Sequence, residues 1–150
     1  MTRDAFLKHI ATLGPIGHLP VAPGTWGSLA ALLLYIVLEP SVIIQGILLL
    51  FLIPLGITAS SSAERTLNRK DSKHIVIDEA CGFLISVFFV PFSIGYCIAA
   101  FFLFRIFDIL KPFPARKFET VFSGGLGIMA DDIIAGMYAN IILQIGNQMF

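Results

Sequence analysis

The chain has 150 residues, of which 57% are hydrophobic and 13% are charged. Soluble domains usually carry about 25% charged residues, and a small soluble fold cannot bury so much apolar surface, so the composition favours a membrane protein. Ten basic and ten acidic side chains balance to a formal net charge of zero, which excludes nucleic acid as a partner attracted by overall charge. The length predicts a single domain over residues 1–150.

The amino-terminal segment predicts a helix that lies on the membrane surface. Phe6, Ile10 and Leu13 recur at helical spacing among charged side chains, a pattern typical of interfacial helices.

A segment rich in glycine and proline follows at residues 17–28 and continues directly into an apolar stretch. Thr25 and Ser28 are expected to cap the helix that begins there, whose start favours an anion. Trp26 is typical of the headgroup level of a bilayer. We therefore interpret this segment, which includes His18, as a loop that contacts a lipid headgroup. A rigid capped turn with an interfacial anchor is the plainer alternative.

Five apolar runs come next, and most are too short to cross a bilayer alone. They cover residues 28–38, 41–59, 81–91, 94–107 and 133–145. A spanning helix needs about 20 residues, and only the second run clearly reaches that length. We predict an all-α fold: a compact helical bundle, integral to the membrane, with short or half-spanning helices and an N-terminal interfacial helix.

The basic residues predict an orientation. Lys and Arg occur before the first run, between the second and third, and after the fourth, whereas the links at 39–40 and 91–93 have none. By the positive-inside rule, the basic segments face the cytoplasm, and the notable acids then lie on that side.

Acidic residues occur beside the apolar runs at three places. Asp78 and Glu79 open the third run, Asp108 follows the fourth, and Asp131 and Asp132 precede the last. Ionisable residues near membrane depth are costly and are functional candidates. Adjacent carboxylates repel unless a cation is present, and their oxygens suit Mg²⁺, so we interpret the set as a metal site.

Each acid also has a plainer explanation. Asp78 or Asp131 could cap a helix, and Asp108 could simply neutralise Arg105 or Lys111, which share its helical face by three-residue spacing. Arg105, Lys111 and Arg116 are in turn suited to phosphate oxygens. Acids and bases together at a headgroup surface indicate phosphate chemistry on a lipid.

Four segments together resemble the phosphatidylglycerophosphatase A family. They are residues 20–28 (PVAPGTWGS), 77–82 (IDEACG), 104–112 (FRIFDILKP) and 124–136 (GGLGIMADDIIAG). The resemblance implies a Mg²⁺-dependent, all-helical enzyme of the bacterial cytoplasmic (inner) membrane. Such an enzyme removes the terminal phosphate of a phospholipid, phosphatidylglycerophosphate, and leaves phosphatidylglycerol. No C-x₅-R loop or D-x-D pair is present for a covalent phosphatase mechanism, so metal-activated water remains.

The predicted roles fall into three groups. The metal ligands are Asp78, Glu79, Asp131 and Asp132; the catalytic residues are Asp108, Arg105 and Lys111; the substrate contacts are His18, Thr25, Trp26, Ser28 and Arg116. The alternative is a small cation- or proton-coupled transporter that uses the same carboxylates, although acids on one face do not form a path across the membrane. A purely structural membrane subunit is the third possibility.

Overall fold

The computed structural model describes residues 2–70 and 72–149, and their regular structure is helical. The helices are α1 (Arg3–Ala11), α2 (Pro23–Leu38), α3 (Val42–Leu67), α4 (Ile77–Ser86), α5 (Ile94–Leu110), α6 (Ala115–Val121) and α7 (Gly125–Met149), with a short 3₁₀ turn at Ile16–His18 between α1 and α2. The all-α prediction is confirmed.

Helix length separates the bundle into two long helices and several short ones. With 26 and 25 residues, α3 and α7 are long and apolar enough to cross a membrane. The ten residues of α4, at about 1.5 Å each, cover about half of the ~30 Å hydrocarbon core. The prediction of short or half-spanning helices is therefore confirmed. The helix α3 extends past the predicted run to Leu67, with Pro54 inside it.

Several helices begin earlier than the apolar runs predicted. Because α7 begins at Gly125, Asp131 lies within that helix. The N-cap of α4 is Val76, so Asp78 also lies within its helix. The capping alternative is therefore wrong for both Asp78 and Asp131. The capping prediction for Thr25 and Ser28 is wrong as well, since α2 begins at Pro23 and both lie inside it.

Helix α4 lies at the centre and crosses α7 at two glycines. A Cβ on Gly136 would meet the carbonyl oxygen of Gly82, and a Cβ on Gly82 would meet both the Phe104 ring and the carbonyl oxygen of Asp132. The absence of side chains lets the two backbones approach closely, as small residues do between membrane helices. The buried side chains of Phe83 and Phe104 pack in one cluster with Ala135, the residue before Gly136.

The far end of α4 is held by a side chain of α7. Asn140 donates through Nδ2 to the carbonyl oxygens of Ser86, at 3.1 Å, and Phe88, at 2.6 Å. Gln144 in turn donates to Asn140 Oδ1 at 2.7 Å. Carbonyls at the end of a helix lack partners within it, and lipid offers none, so Asn140 allows α4 to end inside the bundle.

The N-terminal helix is present as predicted and packs on α3. The hydroxyl of Ser62 in α3 donates to Asp4 Oδ1 at 2.8 Å, and Ala11 at the end of α1 is fully buried. Its position at a membrane surface stays a prediction.

Candidate metal centre

Three carboxylates from α4 and α7 meet in the interior of the bundle. Asp78, Glu79 and Asp132 each offer an oxygen, and these oxygens all lie within 4.8 Å of one another. Asp78 and Asp132 are only 8% and 3% exposed. One buried oxygen of each residue, Asp78 Oδ1, Glu79 Oε2 and Asp132 Oδ2, makes no hydrogen bond.

Such an arrangement is costly without a cation. Buried polar atoms that lack partners destabilise a fold, and like charges at this separation repel each other. Three converging carboxylates, each with one buried oxygen that lacks a donor, are the ligand chemistry that hard divalent cations take. The residues therefore fit a bound Mg²⁺.

The glycine crossing explains why these acids meet. Gly82 is one helical turn after Asp78, and Gly136 is one turn after Asp132, so each acid shares a helix face with its glycine. Since the glycines bring those faces into close contact, the two acids are brought together as well.

The segment at residues 17–28 lies directly against the acids. A Cβ on Gly24 would meet Glu79 Oε1, and a Cβ on Gly27 would meet Val76. His74 Nδ1 is 2.7 Å from the carbonyl oxygen of Gly17. The loop predicted for residues 17–28 is therefore wrong from Pro23 onward, where α2 begins, but the segment does contact the acid-bearing helix about fifty residues later in the sequence.

Two ion pairs border the cluster. Arg105 Nη1 lies 2.6 Å from Asp108 Oδ2, and Lys111 Nζ lies 2.6 Å from Asp131 Oδ2. Asp108 also lies within interaction distance of Asp132, so the first pair adjoins the three acids. The second ion pair links Lys111, at the end of α5, to Asp131 of α7.

The predicted substrate contacts occupy different environments. Trp26 is half-exposed, and its indole Nε1 donates to the carbonyl oxygen of Val21 at 3.0 Å. Ser28 is fully buried, with its hydroxyl bonded to the carbonyl oxygens of Gly24 and Thr25 at 3.0 and 3.2 Å. A direct contact of Ser28 with a headgroup would require it to leave these bonds.

The remaining predicted contacts are more accessible. Thr25 is half-buried, and His18 is exposed, with its ring centroid 5.0 Å from that of His74. Arg116 is exposed on α6, where it lines an open cavity of about 480 Å³ together with Lys111 and Lys117. The substrate-binding roles of these residues stay predictions.

Comparison with known proteins identifies the family. Residues 9–147 match the sequence model described as phosphatidylglycerophosphatase A. The chain belongs to the phosphatidylglycerophosphatase A family.

Relatives of this phosphatidylglycerophosphatase A family member are similar over most of their length. The phosphatidylglycerophosphatase A of Haemophilus influenzae is 39% identical over 95% of each chain. That of Escherichia coli is 35% identical over 87% of this chain and 78% of its own. A protein of Bacteroides thetaiotaomicron, provisionally named a phosphatidylinositol-3-phosphatase, is 38% identical over 97% and 96%. No solved structure matches the chain.

Membership of the phosphatidylglycerophosphatase A family confirms the predicted enzyme class, a phosphatase. It also favours that class over the transporter and over a structural subunit. Sequence reasoning missed two features that support the site: the approach of Gly24 to Glu79, and the bonds from Asn140 to the end of α4. Asn140 and Gln144, four residues apart in an apolar helix, were the available signal for the second feature.

Proposed function

We propose that this protein is a Mg²⁺-dependent phosphatase that hydrolyses phosphatidylglycerophosphate to phosphatidylglycerol and phosphate at the Asp78–Glu79–Asp132 cluster. The observation that carries the proposal is the convergence of three carboxylates inside the bundle, each with one buried oxygen that lacks a hydrogen-bond donor. We place the protein in the bacterial cytoplasmic membrane with this cluster toward the cytoplasm, because the positive-inside rule predicts that the basic segments beside the acids face the cytoplasm.

The substrate class is a phospholipid that ends in a phosphomonoester. Two relatives are named for phosphatidylglycerophosphate and one for a phosphoinositide, and both lipids carry such a group. We assign phosphatidylglycerophosphate because the Haemophilus influenzae relative, named for it, is 39% identical over 95% of each chain.

Different residues are proposed to bind the metal, to bind the phosphate and to accept a proton. Asp78, Glu79 and Asp132 would hold Mg²⁺, which when bound polarises a phosphoryl group and activates water. Arg105 is proposed to donate to a phosphoryl oxygen, which is supported by its buried Nε having no hydrogen-bond partner. Asp108 orients Arg105 through their ion pair and is the adjoining carboxylate able to accept a proton from water.

The reaction needs no covalent enzyme group. Water would form the new bond to phosphorus and give a proton to Asp108, the phosphorus–oxygen bond to glycerol would break, and the glycerol oxygen would take that proton and leave as a hydroxyl. Lys111 and its partner Asp131 would fix the end of α5 beside this site. The segment at residues 17–28, which includes the start of α2, would contact the headgroup.

The test is phosphate release from phosphatidylglycerophosphate by the purified protein in detergent. Activity should require added Mg²⁺ and be lost in EDTA. Glu79→Gln should be inactive, whereas Glu39→Gln, an exposed acid after α2, should be as active as the unaltered protein. Full activity in EDTA or in Glu79→Gln would contradict the metal site, and faster hydrolysis of phosphatidylinositol-3-phosphate would contradict the substrate.

A further inference from the structure

An apolar groove runs along the bundle beside the acids. Its volume is about 450 Å³. Its walls come from α2, with Ala30 and Leu34 among the lining residues, and from α3, with Leu48 and Leu52. In the described part of the chain, no Cα of α2 comes within 8 Å of a Cα of α3, so the two walls stand apart.

The floor of the groove is the helix that carries the acids. Ile77, Ala80 and Leu84 of α4 line it, and Ile77 and Ala80 flank Asp78 and Glu79 in the sequence. One end of the groove therefore lies at the start of α4, next to the helical turn that carries Asp78 and Glu79.

The direction of the groove follows from contacts at its two ends. Near the acids, Gly24 of α2 contacts Glu79 and Gly56 of α3 lies beside Ile77. At the other end, Gln45 Nε2 of α3 donates to the hydroxyl of Tyr35 of α2 at 3.0 Å. The groove thus leads away from the acids along the helices, and a buried polar pair joins its two walls near the far end.

We infer that this groove binds one acyl chain of the phospholipid whose phosphate is removed at the acids. The inference rests on the proposed function, since only a lipid substrate brings a hydrocarbon chain and a phosphate together. From Ala30 to Leu38 the α2 wall rises about 12 Å, close to the ~15 Å that a single leaflet contributes to the hydrocarbon core. An acyl chain therefore matches the groove in polarity, in length and in its continuity with the site.

Paired leucines on α2 provide a matched test. Leu34 lines the groove, whereas Leu33 lies outside it, and the two are similarly exposed at 60% and 55%. Tryptophan at position 34 should fill the groove and displace part of the chain. For Leu34→Trp we expect KM for long-chain substrate to rise about tenfold, as the loss of two buried methylenes predicts, with kcat unchanged. Leu33→Trp should leave both constants as they are.

Two neighbouring residues of α3, on the opposite wall, give an independent test that stays valid if a variant of α2 misfolds. Leu48 lines the groove and its neighbour Ile47 does not, so Leu48→Trp should raise KM and Ile47→Trp should not. A six-carbon-chain substrate should be hydrolysed equally by all four variants. Equal effects within each pair, or equal effects on long and short chains, would overturn the inference.

Crosslinking separates this inference from the proposed function. The probe is phosphatidylglycerophosphate with a photoreactive diazirine in its acyl chain, and the readout is the set of labelled residues. We expect labels on the groove residues, fewer of them in Leu34→Trp, and competition by unlabelled phosphatidylglycerophosphate but not by phosphatidylcholine. Labels spread evenly over the lipid-facing helices would overturn the groove even if phosphate release is normal. Labels in the groove without phosphate release would leave the groove standing and contradict the proposed function.

Discussion

The two pairs of adjacent acids look equivalent in the sequence and differ in the fold. Asp78 and Glu79 both contribute an oxygen to the central cluster, whereas of the second pair only Asp132 does. Asp131 is instead 2.6 Å from Lys111. Successive helical residues point about 100° apart, so two neighbours rarely face the same point. Both acids of the first pair reach the cluster because α2 begins beside Glu79, and Gly24, which has no side chain, leaves space for the Glu79 carboxylate.

The largest expected effect is at the acid of the second pair that faces the cluster. Asp132→Asn should lower activity by more than about 100-fold, since loss of even an outer partner of a metal ligand costs 10–100-fold. Removing one like charge should raise the metal-free melting temperature by roughly 2–5 °C. Mg²⁺ should stabilise the unaltered protein but not the variant. Thermal unfolding in detergent measures both, and a variant that Mg²⁺ stabilises normally would contradict the ligand role.

One added methyl group at Gly24 should remove the space that α2 leaves for the Glu79 carboxylate. Gly24→Ala would place a Cβ against Glu79 Oε1, so activity should fall by about tenfold or more, as for other disturbed metal ligands. Gly146→Ala is the matched control, because a Cβ there meets nothing within 4 Å. Equal activity in the two variants would show that the position of Glu79 does not depend on α2.

The acid of the second pair that is bonded to Lys111 should matter less. Asp131→Asn should lower activity by about tenfold, at the weaker end of the range for outer partners. Because Lys111 is its partner, Lys111→Met should add little to Asp131→Asn in a double-mutant cycle. A loss for Asp131→Asn as large as that for Asp132→Asn would remove the distinction between the two residues.

The smallest effect on activity is expected at the far end of α4. Asn140→Leu leaves the carbonyls of Ser86 and Phe88 without their donor and should cost about 1–3 kcal/mol of stability. Activity at low temperature should be close to normal, because the first pair of acids lies at the opposite end of the helix. Gln144→Leu, one bond further away, is the milder control. A large loss of activity with normal stability would mean that Asn140 acts on the site itself.

The sequence predicted the fold class more completely than it predicted which residues form the site. Composition and the lengths of the apolar runs were sufficient for a bundle of short helices, because both reflect the solvent around the chain. The sequence did not indicate which acid of the second pair would face the cluster. That depends on the rotation of α7 about its axis, which is fixed by the contact at Gly136. Helix starts were misjudged at α2 and α7, where Gly and Pro are tolerated in the first turns.

The segment at residues 17–28 was predicted to serve the site, but its contact with Glu79, made from the first turn of α2, was not predicted. That contact depends on Gly24 and Gly27 fitting against α4, which is a property of two packed backbones. A pattern within one segment carries no information about the surface that will face it.

The starts of α2 and α4 both lie at the acids, and this has an electrostatic consequence. Each helix presents the positive end of its backbone dipole there, equivalent to about half a unit charge. Glu79 contacts one such end at Gly24 and lies in the first turn of the other. The backbone therefore offsets part of the repulsion among the three carboxylates before any cation arrives, and the same two dipoles favour the negative charge of an incoming phosphate.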